Sequence, residues 1–131
     1  MANTNLNVRL FPFFDSVEHP LTEAAISDSY WNSGYNKMVL EVSGEGTGVF
    51  KVEGCINTLG SDGHILDDND CYWTELGAVA TPSYSIQNAQ SAITDNGIYY
   101  IDITGLSRIR IVAESVEGNG VTIVGALSKM N

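Results

Sequence analysis

The chain has 131 residues, 44% hydrophobic and 17% charged, enough for one domain with its own core and no need of covalent staples. Six basic residues against 16 acidic ones give a formal net charge of −10, and a surface that negative repels phosphate backbones, which argues against direct nucleic-acid or anionic-membrane binding. No run of about 18 apolar residues exists to cross a membrane. The opening residues lack the basic-then-apolar plan of a secretory signal, so synthesis in a cytoplasm is expected.

In chain order, residues 2–10 read as a first strand with Leu6, Val8 and Leu10 on one face. Phe11-Pro12-Phe13-Phe14 follows, and a proline in such a run marks an edge strand or an extended arm. These phenylalanines either cap one end of the fold or form an arm that docks on a neighbouring subunit. Leu10, Phe11, Phe13 and Phe14 are therefore the interface candidates, and residues 1–22 are read as N-terminal strand and arm, with 23–131 as the main body. Glu23 to Ser29 fits a short strand or one helical turn. Tyr30 to Gly34 is a corner leading into a strand with Met38, Leu40 and Val42 inward and Lys37 and Glu41 outward. The next strand turns Phe50, Val52 and Gly54 inward. Residues 56–71, dense in glycine, asparagine and aspartate, form a long surface loop. A strand resumes over Tyr72–Leu76. Ser83–Gln87 and Ala89–Thr94 read as two short strands or one irregular one, and Asp95-Asn96-Gly97 as a tight turn.

Residues 97–114 organise the rest. Tyr99, Ile101 and Ile103 alternate with Tyr100 and Asp102; after the break at Thr104–Ser107, Ile109, Ile111 and Ala113 alternate with Arg108 and Arg110. Period-two alternation means strands with one buried and one wet face, and those faces need a second sheet to cover them. A final strand spans Val121 to about Leu127. The expected fold is a single all-β, antiparallel, jelly-roll-like sandwich of about eight or nine strands, with no helix.

One segment echoes another. Gly34–Leu40 lines up with Gly105–Ile111, and Val49–Val52 with Val121–Val124, at offsets of 71 and then 72 residues. Each copy has a glycine turn between its strands, Gly44-Glu45-Gly46-Thr47-Gly48 in one and Glu117-Gly118-Asn119-Gly120 in the other. These read as two related hairpins facing each other across one core; two copies are too few for a solenoid.

Chemistry-bearing residues are sparse. Asp67, Asp68 and Asp70, with Asp62 and His64 nearby, form an oxygen-rich loop of the kind calcium takes, but without the alternate-position register of an EF-hand. Cys55 and Cys71 bracket that loop. A disulfide between them is geometrically open if their strands pair; in a reducing cytoplasm two buried thiols are expected. The two cysteines and two histidines fit no zinc spacing. Ser61, His64 and Asp67 share one loop with nothing to fix a base against a nucleophile, no carboxylate pair is marked as opposed, and the glycines join strand to strand. No enzyme activity and no cofactor are expected. Trp31, Tyr35, Tyr72 and Trp73 gather near strand ends, where aromatics stack on sugar rings or fill subunit interfaces.

Leu40–Gly54, Gly97–Leu106 and Arg110-Ile111-Val112 resemble small β-sandwich structural proteins of tailed bacteriophages, and the resemblance covers about residues 36–127. The departure is the 56–71 loop, longer and more acidic than usual. The resemblance implies a virion component, made in the host cytoplasm: a capsid decoration protein, a head-fibre base, or a tail or baseplate module. It would be a homo-oligomer contacting major capsid or tail and fibre subunits through symmetric contacts. On that reading residues 6–14 are the attachment segment and the acidic loop 61–70 faces solvent. The alternative is a carbohydrate- or host-surface-binding module that uses Trp31, Tyr35, Tyr72 and Trp73 on a host glycan.

Overall fold

A computed structural model describes residues 13–14, 20–32, 34–56, 59–80 and 90–129, together with the backbone of 8–12. Leu6, His19, the strand expected at 83–87 and the side chains of Leu10 and Phe11 lie outside the described residues.

Ten strands make up the described fold: β1 (Val8–Phe14), β2 (Ala25–Ile26), β3 (Tyr30–Trp31), β4 (Lys37–Ser43), β5 (Thr47–Cys55), β6 (Thr74–Leu76), β7 (Val79–Ala80), β8 (Gly97–Asp102), β9 (Arg108–Glu117) and β10 (Thr122–Ser128). One sheet runs β1-β10-β4-β8-β7. The other runs β2-β9-β5-β6, with β3 also paired to β9. Every ladder is antiparallel. The inward positions follow the alternation: Met38, Leu40 and Val42 on β4, Tyr99 and Ile101 on β8, Ile109, Ile111 and Ala113 on β9, and Phe50 and Val52 on β5 share one core. The fold is an all-β sandwich, with ten strands rather than eight or nine.

The two repeated segments are not hairpins. β4 and β5 lie in different sheets, as do β9 and β10; β4 pairs with β10, and β5 with β9. Each glycine turn is therefore an arch from one sheet to the other. β8 and β9, consecutive in the chain, likewise lie in different sheets. Alternation in sequence reports which side of a strand is buried but not which strand is its neighbour, so it is equally compatible with both arrangements.

The arches explain their glycines. Gly46 N–H donates to Gly120 O at 2.9 Å, and a Cβ on Gly46 would sit 2.6 Å from Glu117 O. A Cβ on Gly44 would come equally close, 2.6 Å, to Gly120 O. Two backbones cross here with no room for side chains between them. The matched starts of the two copies also agree: Gly34 (φ 92°) and Gly105 (φ 81°) both take the left-handed conformation. The Asn32 side chain ties these corners together, donating from Nδ2 to Tyr35 O (2.8 Å), Ile103 O (3.2 Å) and Leu106 O (3.1 Å).

β1 pairs with β10 of its own chain over Val8–Phe14, and Phe13 is buried in the core, edge-on to the Tyr30 ring at 5.1 Å. Phe14 packs partly buried against the same core. Among the interface candidates, Phe13 is thus occupied internally, because a two-sheet sandwich of this size uses its N-terminal strand to close an edge.

Candidate functional site

The outer face of the second sheet carries the chemistry. On β9, Ile109 and Ile111 point into the core, so Arg108 and Arg110 must lie on the opposite side. Alternation predicts both to be wet, yet Arg108 is only 3% exposed. The cause is the stretch around Asp68–Cys71, which packs over this end of the sheet against Arg108. A bridge between Leu59 and Ile65 and a one-turn 3-10 helix over Asp68–Asp70 organise the loop internally, and Asp68 ties it down through Arg108 and Ser29. The alternation of a strand cannot announce that a distant loop will cover its polar face.

Under that loop, Arg108 Nη1 lies 3.1 Å from Asp68 Oδ1 and donates to Cys71 Sγ at 3.3 Å. The guanidinium stacks on the Trp31 ring at 4.4 Å, which offsets part of the desolvation of its charge. Its Nε has no acceptor. Asp68 is held from other directions too: Ser29 Oγ donates to Oδ1 at 2.7 Å, and the Trp73 indole N–H donates to the backbone carbonyl at 2.7 Å. Arg110 repeats the theme one pleat along, stacking on Trp73 at 4.1 Å and pairing through Nε with Glu53 Oε1 at 2.8 Å.

Cys55, the last residue of β5, faces the same side and is register-paired with Arg108. Both cysteines are free and buried. Burial, with the adjacent Cys71 thiol adding to it, pushes the Cys55 pKa up to about 11.

The fold thus gathers Asp68, Cys55, Cys71, Trp31, Tyr72 and Trp73 at one end of the sandwich. Tyr35 is not among them; it packs against the core. Asp67, Asp68 and Asp70 do not converge as a cation site would require: the Asp68 carboxylate is committed to Arg108 and Ser29. Among the described residues no group of three or more acidic, histidine or cysteine side chains could hold a metal ion. Asp62, exposed, is instead bonded to His64, whose backbone N–H and ring together lower its pKa.

Trp31 is 46% exposed and Tyr72 81%. Each tryptophan has an arginine on one ring face. Ile56, Leu59 and Ile65, at 68, 55 and 64% exposure, add an apolar surface to the loop. The burial of Arg108 and the exposure of Ile56, Leu59 and Ile65 are not announced by the sequence pattern. The signal available for Arg108 was a loop with excess acid at one end of a strand bearing lone arginines.

No protein-family model matches the sequence, and no curated protein does. Two solved structures share the fold. The SPBc2 prophage-derived protein YomS superposes with a TM-score of 0.68 at 17% identity, over 97% of each chain. The PBSX exported protein XepA superposes with a TM-score of 0.67 at 16% identity, over 97% of this chain and 39% of that one. The same sandwich therefore occurs as nearly a whole protein in one case and as part of a longer chain in the other.

Proposed function

We infer that the protein is a non-enzymatic, phage-encoded structural protein that works by protein–protein contact. The observation that carries this reading is the whole-chain fold match to YomS, a prophage-derived protein. The exposed loop supplies the means of contact. Ile56, Leu59, Ile65 and Tyr72 stand out from the surface, with Asp62, Asp67 and Asp70 between them also exposed. An apolar surface studded with carboxylates on a chain of net charge −10 suits a partner that is apolar and basic, and it disfavours an anionic lipid surface. Large exposed apolar side chains gathered on one loop mark interaction sites more often than isolated ones do. On this reading attachment is assigned to the 56–73 loop rather than to the N-terminal strand. The virion is the proposed location and a capsid, tail or fibre subunit the proposed partner.

The test is reconstitution. Particles produced from a strain deleted for the gene are mixed with purified wild-type or Ile65→Ser/Tyr72→Ala chain and separated on a density gradient. The reading expects wild type to band with particles and the doubly substituted, still folded chain to stay at the top. Wild-type chain left at the top refutes it; if that chain instead binds a glycan array through Trp31 and Tyr72, the carbohydrate-binding alternative takes its place.

A further inference from the structure

Cys55 and Cys71 have no part in that reading, and their placement is unusual. Cys55 ends β5 on the outer face of the second sheet, and Cys71 closes the loop that lies over it. Both are buried, and Arg108 links them: it is register-paired with Cys55 and donates to Cys71 Sγ at 3.3 Å. The segment between them, residues 56–70, carries Asp68 and the exposed apolar residues. We propose that Cys55 and Cys71 are a redox pair that closes into a disulfide when the protein meets a small-molecule disulfide oxidant, locking the 56–70 loop onto the second sheet.

The step balances with oxidised glutathione as oxidant. Cys71 is the less buried residue, 9% exposed against 3% for Cys55, and is assigned the first attack. Its thiolate, having released a proton to solvent, attacks the glutathione disulfide. A protein–glutathione disulfide forms and one glutathione thiolate leaves. Cys55 then releases its proton and attacks Cys71 Sγ, expelling the second glutathione. Two protein thiols are oxidised to one disulfide while one glutathione disulfide is reduced to two thiols. The raised Cys55 pKa makes the second attack slow near neutral pH and faster as pH rises. In a reducing cytoplasm the pair rests as thiols; in an oxidising medium it closes.

The lock acts at both ends of the loop. The chain enters at Cys55, already in the β5–β9 ladder, and leaves at Cys71, whose backbone N–H donates to Asp68 O at 3.4 Å. A covalent link there holds Asp68 beside Arg108 even when the loop fluctuates. Closing a loop of about 15 residues restricts the unfolded chain, and for a domain of this size the expected rise in Tm is on the order of 10 °C.

The experiment uses the full chain, purified with reductant and exchanged into oxidised glutathione at about pH 8. Intact mass should fall by about 2 Da with no retained adduct, denatured thiols should drop to none, and Tm should rise. The Cys55→Ser chain, unable to complete the second step, should retain one glutathione, about 305 Da heavier, mapped to Cys71. Persistence of two free thiols, two retained adducts, or a disulfide-linked dimer would each overturn the proposal.

Discussion

Removing either partner of the Arg108–Asp68 pair deletes the same contact, but the structure predicts unequal costs. The Arg108 side chain is 4% exposed and that of Asp68 37%. In Asp68→Ala, a guanidinium remains under the loop with no carboxylate and an Nε already without an acceptor. Stranding a buried charge costs about 3–5 kcal/mol, reduced here to about 3 by the Trp31 ring and by water entering the space vacated. In Arg108→Met, the stranded group is a carboxylate that is already more than one-third hydrated and still accepts from Ser29. Methionine also fills much of the arginine stem's volume against Trp31. That change should cost about 1 kcal/mol or less. Urea unfolding of both variants in reductant, followed by tryptophan fluorescence and far-UV circular dichroism, measures the difference. At this chain length the gap corresponds to roughly 6–10 °C in Tm. Equal losses, or a larger loss for Arg108→Met, would refute the view that the burial of the arginine, and not the pair itself, sets the energetics.

Three further outcomes follow from the geometry. Gly46→Ala should cost at least about 2 kcal/mol, because its Cβ meets backbone atoms of the opposing arch at 2.6–2.9 Å. Gly63→Ala, in open space at φ 81°, should cost only about 1 kcal/mol, and thermal melts of the two distinguish crowding from conformational strain. Tyr72→Ala should leave stability within about 0.5 kcal/mol of wild type, since the ring is 81% exposed, while lowering particle binding in the gradient assay. For pH, the Cys55 thiol has a folded pKa raised to about 11. The unfolded chain therefore releases this proton first, and the stability contributed by the neutral thiol is present below about pH 8.5 and lost as pH rises towards 11. Reduced wild-type protein should lose on the order of 3 kcal/mol across that window, and Cys55→Ala should lack this component in the same urea titration.

Much of the sandwich is legible in the alternation of β4, β5, β8 and β9, because burial on one face leaves a period of two whatever the strand's partner. Partnership itself is not legible there. The glycine turns at 44–48 and 117–120 have the composition of hairpins, and only the close approach of Gly46 to Glu117 and Gly120 reveals crossing arches. The loop over the second sheet is half legible: its polarity marks it as a loop, and its cysteines and aspartates mark it as distinctive. Its position over Arg108 depends on contacts that join three distant stretches: Ser29 and Trp31, Asp68 and Trp73, and Arg108 itself. The N-terminal phenylalanines illustrate the converse. Phe11 to Phe14 around a proline suit an arm, and the structure places Phe13 in the core because the β10 edge needs a partner. Removing residues 1–14 should therefore open the core rather than free an attachment arm.

On the proposed function, this chain is part of an assembled particle and attaches through the 56–73 loop. Quantitative mass spectrometry of gradient-purified particles, released by the strain that encodes the chain, tests it most directly. This chain should appear at a fixed ratio to the major capsid or tail subunit, with residues 56–73 protected from surface labelling on particles and labelled in the free protein. Its absence from particles while abundant in the same lysate, or equal labelling of the loop in both states, would contradict it.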